Sequence, residues 1–381
     1  MKINLYSWQN VTAMSLLLLT LLFSACRKNE ISTRSIEQDN TEQKALDAAR
    51  SLEQNAAINA DNEGASLQLS GPGDQNRNKS KNIVEIAVSN PHFTSLVAAV
   101  LKTGLADALS NPSANLTVFA PTNHAFKQLP APFNTAQSIA GITDAGQIDF
   151  LRNVLLYHVL GAEVFSDDVS RGRSSTPTIK PRGSSNDNTI YLSKAFGLIR
   201  VNGQSDVIRA DINASNGVIH AINKVLLFPT SNIAQIAIAD PNNFSALVAA
   251  LVKTNLAGVF TGEGDFSVFA PTNAAFAKLP SPFNTADNIS NISDPATIDA
   301  LANILKYHVI GSRYFTWDLG ILAKPATLAN APNNKLTTIL GYNTGWVKGD
   351  ANPNYTQIKP GDILATNGVI HVIGHVLLPK N

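Results

Sequence analysis

The chain has 381 residues, 29 Lys plus Arg against 28 Asp plus Glu, and 44% hydrophobic with 15% charged residues, a length for about two ordinary domains. Near-neutral charge argues against a nucleic-acid-binding surface or a polybasic membrane patch. Cys26 is the single cysteine, which excludes intramolecular disulfides, thiolate zinc sites and CxxC redox chemistry, so the fold must rest on buried apolar surface.

Lys2 precedes an apolar run from Val11 to Phe23, too short at about 13 residues to span a bilayer and of the right size for a signal-peptide core. Phe23-Ser24-Ala25-Cys26 follows and resembles a bacterial lipobox, which implies cleavage after residue 25 and lipidation of Cys26 as the new N-terminus. Two or more acyl chains give stable anchoring, at about 0.8 kcal/mol per buried CH₂. Arg27, where inner-membrane lipoproteins typically carry Asp, implies an exported outer-membrane lipoprotein on the surface or periplasmic face.

Residues 27–81 carry 8 basic and 9 acidic groups and no aromatic residue; such a segment buries too little apolar surface to offset its ordering entropy. With Cys26 it reads as a flexible tether over 26–81, whose r.m.s. reach as a coil is roughly 40 Å. From Asn82 onward the chain repeats itself. Val118-Phe119-Ala120-Pro121-Thr122-Asn123 returns as Val268-Phe269-Ala270-Pro271-Thr272-Asn273, Tyr157-His158 as Tyr307-His308, and Asn216-Gly217-Val218-Ile219-His220 as Asn367-Gly368-Val369-Ile370-His371. A period this long denotes duplicated domains rather than a solenoid. The boundaries fall at 82–229 and 232–379, and a linker of only residues 230–231 restricts relative motion.

Within each copy, Phe93, Leu96, Val97, Val100 and Leu101, matched by Phe244, Leu247, Val248, Leu251 and Val252, mark the apolar stripe of an amphipathic helix. Pro91 and Pro241 sit near its start, where a missing N–H costs little. A short strand at 116–119 or 266–269 comes next, stopped by Ala-Pro, and the Thr-Asn pair caps a short helix. Another helix spans 148–158 or 298–308. Strands and hairpins follow, closing on 217–227 and 368–378, which are rich in β-branched residues.

The three blocks, in order in both copies, resemble the fasciclin-like domain. The resemblance implies an α+β fold, each domain a β-wedge of two small sheets with several packed α-helices, in secreted or surface proteins linked to adhesion and usually without enzymatic activity. The motif residues Phe119, Pro121, Thr122, Asn123, Tyr157, His158, Gly217 and His220, with Phe269, Pro271, Thr272, Asn273, Tyr307, His308, Gly368 and His371, read as structural. Tyr and His at a helix end satisfy hydrogen bonds there, and the two glycines read as turn residues needing positive φ.

Chemistry is sparse. The chain contains no G-x-S-x-G elbow, Walker loop, H-E-x-x-H or dinucleotide fingerprint. His371 and His375 fall on a predicted strand, where they sit roughly 13 Å apart, beyond what one zinc ion bridges. Asp167-Asp168 is not a repeated acid–base pair, because Trp317 replaces Asp167. We therefore expect no catalytic residues, metal or cofactor. Trp317 and Trp346, in the β-rich part of the second copy, are the candidate ligand contacts, since exposed aromatic faces stack on sugars or anchor proteins. Arg171, Arg173, Lys180 and Arg182 of the first copy form a loop suited to an acidic polysaccharide or headgroup. The expected function is non-enzymatic adhesion or matrix binding by a membrane-anchored protein whose partner is a protein or glycan. The alternative is a carbohydrate-binding accessory lipoprotein with an aromatic site in the second domain.

Overall fold

The structure, a computed structural model, describes residues 80–183, 187–340 and 344–380. The expected signal peptide, Cys26 and nearly all of the expected tether lie outside the described residues.

The first repeat opens with α1 (Ile83–Val88), closed by a reciprocal cap in which Asn82 Oδ1 accepts from the Glu85 N–H and Glu85 accepts from the Asn82 N–H, two otherwise orphaned donors satisfied at once. Helix α2 (Thr94–Thr103) carries the predicted stripe and ends at Gly104 with φ 67, the left-handed terminus that glycine adopts without Cβ strain. Phe93, Leu96 and Val100 are buried, whereas Leu101 is 64% exposed, as is its counterpart Val252 at 66%. The stripe is thus narrower than its pattern suggested, because an eight-residue step has drifted round the helix to its outer flank. Helices α3 (Ala106–Ser110), α4 (Asn123–Lys127), α5 (Ala136–Ala140) and α6 (Ala145–Leu156) complete the helical layer.

The strands are β1 (Leu116–Pro121), β2 (Val159–Leu160), β3 (Gly172–Pro177), β4 (Thr189–Ala195), β5 (Leu198–Val201), β6 (Ser205–Ala214) and β7 (Gly217–Ile222), in spatial order β2-β1-β7-β6-β5-β4-β3. Only β1 and β7 run parallel. The two expected small sheets are joined into one path, bent where β6 shifts register between Val207 and Ile212, the kink and added twist that bulges produce. The bend separates two cores. One lies between the helices and β1, β6 and β7, around Phe93, Leu96, Phe126, Leu151 and Ile219. The other lies inside the curl, around Phe119, Tyr157, Ile190, Leu192 and Val201.

The second repeat follows the same order: α7 (Ile233–Ala239), α8 (Pro241–Lys253), β8 (Phe266–Pro271), α9 (Asn273–Phe276), α10 (Ala286–Ser290), α11 (Pro295–Tyr307), β9 (Val309–Ile310), β10 (Leu336–Leu340), β11 (Gly345–Gly349), β12 (Thr356–Ile358), β13 (Ile363–Ala365) and β14 (Gly368–Ile373). Here the long bulged strand is split in two, since β12 and β13 both pair with β14, and the two cores recur.

Candidate functional site

The repeated motif residues spend their polar atoms on the backbone. At the end of α6, His158 Nδ1 donates to the Val154 carbonyl at 2.7 Å while Nε2 accepts from the Leu226 N–H at 2.9 Å. His308 repeats this with Ile304 and Leu377. Those partners fix a neutral tautomer, and burial holds both rings at a pKa of about 4. His220 and His371 use the other tautomer, Nε2 donating to Val164 or Tyr314 and Nδ1 accepting from the N–H of Asp211 or Asp362. Both of His371's nitrogens are committed, and His375 instead lies 3.2 Å from Lys278 Nζ.

Tyr157 donates to the Thr189 carbonyl and Tyr307 to that of Lys335, each tying its helix to the curl. Thr122 and Thr272 cap α4 and α9 through the N–H groups of Ala125 and Ala275. Asn123 accepts from the Ser95 N–H and donates to Pro91, and Asn273 does the same with Ala246 and Pro241, closing the start of the main helix from outside. Phe119 and Phe269 lie against His220 and His371, with centroids 5.5 and 5.3 Å apart. Pro121 and Pro271 end their strands opposite Ile222 and Ile373.

The glycine expectation needs correcting. Gly217 has φ 148, but Gly368 is not in the positive-φ region. What they share is contact: a Cβ would lie 2.0 Å from the Leu116 carbonyl oxygen at Gly217 and 2.3 Å from that of Phe266 at Gly368. The close parallel strand, not the turn alone, selects glycine here.

Trp317, expected to face a ligand, is 6% exposed. It stands edge-on to Phe196 and its ring lies 4.5 Å from the Arg200 guanidinium, both of the first domain. It belongs to an interface in which, among the described residues, three cation–aromatic contacts cross between the domains: Arg200 on Trp317, Arg173 on Tyr314, and Arg313 on Tyr191. Phe315 is fully buried between Tyr191 and Gly203. Arg313, also fully buried, bonds Asp265 and the carbonyls of Ala365 and Gly368, so its charge is compensated within its own domain. Gln204 donates to the Asp362 carbonyl across the boundary. The expected basic loop is therefore split: Arg173 lies on Tyr314 and Lys180 is buried against Asp187 at 2.8 Å, leaving Arg171 and Arg182 exposed.

Trp346 is the other candidate, and it is partly accessible. Its neighbour Val347 points into the core, so Trp346 and Lys348 point to the outer face of β11. Trp346 is paired with Ile339 on β10 and the exposed Gln357 on β12. Lys348 Nζ lies 5.1 Å from the Tyr355 ring centroid. Among the described residues, this face presents a partly accessible indole in the second domain.

Sequence reasoning missed one repeated device. Asp211 and Asp362, both with φ 60, accept from the backbone N–H and hydroxyl of Ser166 and Thr316, pinning the loop after β2 or β9. The signal was present as Asp-Ile-x-Ala-x-Asn-Gly in both copies. Arg313 and Phe315 were missed too. For Arg313 the signal is divergence, since the first copy carries Glu163 there.

A family-wide profile, the fasciclin domain, matches residues 91–228 and 242–379. The transforming growth factor-beta-induced protein ig-h3 of Sus scrofa is 31% identical over 268 residues, covering 70% of this chain and 35% of that protein; the chain spans about a third of that relative's length. An uncharacterized protein of Synechocystis sp. is 38% identical over 147 residues, 39% of this chain and 97% of that one. A fasciclin-like arabinogalactan protein of Arthroderma benhamiae is 25% identical over 302 residues, 76% of this chain and 65% of that protein.

Proposed function

Because this chain belongs to the fasciclin family and comprises two tandem fasciclin domains, we propose that it is a non-enzymatic protein held at a membrane by a lipid on Cys26, which mediates adhesion or matrix binding from the cell surface or periplasm. The observation that carries this reading is the use of the repeated polar residues. The four buried histidines and both motif tyrosines are bonded to the backbone of their own domain, so the surface is left to do the work. A docked pair also presents its surfaces in fixed geometry, which raises avidity when a partner offers matching sites.

A second reading, a carbohydrate-binding accessory lipoprotein, is favoured by the accessible Trp346 beside Gln357 and Lys348. It no longer includes Trp317, which the first domain covers.

The test is expression of the full chain and its Cys26→Ala variant in a Gram-negative host. Fractionation and N-terminal mass spectrometry report anchoring, protease shaving of whole cells reports the face, and adhesion of the cells to matrix-coated and glycan-coated surfaces reports function. Acylated wild type in the membrane fraction, with adhesion above that of Cys26→Ala cells, is the expected result. Unacylated soluble protein removes the anchor, and equal adhesion with and without it removes the function.

A further inference from the structure

We propose that the outer sheet face of the second domain, built from Trp346, Gln357, Lys348 and Lys359, binds a uronate-bearing polysaccharide. The proposal rests on the second reading above and names its substrate class.

The internal repeat identifies the face as one suited to docking. Val201 and Val347 are equivalent buried residues at the centre of each curl, and their strands set a common register. Arg200 pairs with Asp206 in the first domain where Trp346 pairs with Gln357 in the second. In the first domain Arg200 is covered, being 3% exposed and stacked under Trp317. The second domain places an indole where the first has the guanidinium, and leaves it partly accessible.

A second copy of this chain does not fit that face. Docking in the first domain depends on Phe315 packing directly over Gly203. The corresponding Gly349 lies under the backbone of Leu378 and the side chain of Asn352, where a Cβ would come within 2.6 Å of either. The longer connection between β11 and β12 closes that seat, while Trp346 remains accessible beside it.

The chemistry of what remains is specific. An indole face supplies a flat apolar platform for the C–H face of a pyranose ring. The exposed Gln357 directly opposite carries both a donor and an acceptor for hydroxyls. Lys348 lies two residues along the same strand and face. Lys359 follows Gln357 by two residues, is exposed, and continues the strand through its N–H to the Val372 carbonyl. The two ammonium groups therefore bracket the indole and the amide. Strands β10, β11 and β12 contain no Asp or Glu, so the face complements carboxylates spaced along a chain of sugars.

The probes are sodium polygalacturonate and neutral dextran, titrated into the full chain carrying Cys26→Ala while indole fluorescence and sedimentation are followed. Polygalacturonate is expected to bind at least about tenfold more tightly than dextran and to weaken with salt. Trp346→Ala should weaken it about tenfold or more. Lys348→Gln with Lys359→Gln, changes at a half-buried and an exposed residue of the outer face that leave the cores untouched, should bring polygalacturonate to the level of dextran and flatten the salt dependence. Equal binding of the two polymers, or full binding by Trp346→Ala with an unchanged melting temperature, overturns the proposal. Concentration-dependent self-association that Trp346→Ala abolishes would assign the face to a second copy instead. Cell adhesion surviving any of these failures would leave the broader adhesion function standing.

Discussion

His158, His308 and His371 show how a polar side chain becomes a structural part. Each is buried with both nitrogens bonded, and burial lowers each pKa to about 4, against about 6.5 in an unfolded chain. Between those values the unfolded state binds more protons, so the stability they contribute is complete above about pH 6.5 and is lost as pH falls toward 4. Asp362 runs the other way. Burial raises its pKa to about 6, despite hydrogen bonds from Thr316 and the charges of Arg200 and Lys224. The folded state then holds the extra proton, so the stability linked to it is complete below about pH 4 and is lost as pH rises through 6. Three histidines outweigh one aspartate, so the urea midpoint should fall as pH is lowered from about 7 to about 4.5. In Asp362→Asn the opposing contribution is gone. Asn keeps one acceptor where the carboxylate offers Thr316 two, a loss present at every pH, so the prediction is a trend: the stability of the variant relative to wild type should rise as pH goes from about 4 to above 6; a difference independent of pH would contradict this account.

At the scale of elements, the parallel pairs β1–β7 and β8–β14 hold each domain together, because they join the first strand of a repeat to its last. Gly217 lies opposite Leu116 at the start of the first pair. Gly217→Ala forces a methyl group to within 2.0 Å of the Leu116 carbonyl oxygen and should cost about 3 kcal/mol or more, read as a lower denaturant midpoint. A variant that melts like wild type would show that the strands separate more easily than the packing implies. The amphipathic helices, the capping Thr-Asn pairs and the closing strands were all legible from spacing, because 3.6- and 2-residue periods and N-cap chemistry are local properties. The curl was not legible. It depends on a register shift in β6, which no local signal marks, and on a strand split in two in the second copy, where Pro360-Gly361 stands in place of Arg209-Ala210 and proline lacks the N–H that a continuous strand needs.

For the molecule as a whole, the decisive contacts join the two repeats. Tyr191, Phe315 and Val369, with Leu364 beside them, form a small apolar cluster drawn from both domains, and the cation–aromatic contacts surround it. The pair should therefore unfold as one cooperative unit. Phe315→Ala removes the central ring, a change worth about 3–5 kcal/mol in a packed core, and should divide a single calorimetric transition into two. A single transition at the wild-type temperature would mean that the domains are coupled through the linker rather than through this interface.

The sequence alone determined the duplication, the family, the order of elements and the residues that build each domain, because each of these is written in local periodicity or in identity between the copies. It also narrowed the candidate ligand contacts to two tryptophans. Only the tertiary structure separated them. Trp317 and Trp346 have the same chemistry, but one is closed beneath Phe196 and Arg200 while the other stands partly open beside Gln357. That distinction depends on which residues of the first domain meet the second, a matter of long-range packing that no spacing along the chain encodes.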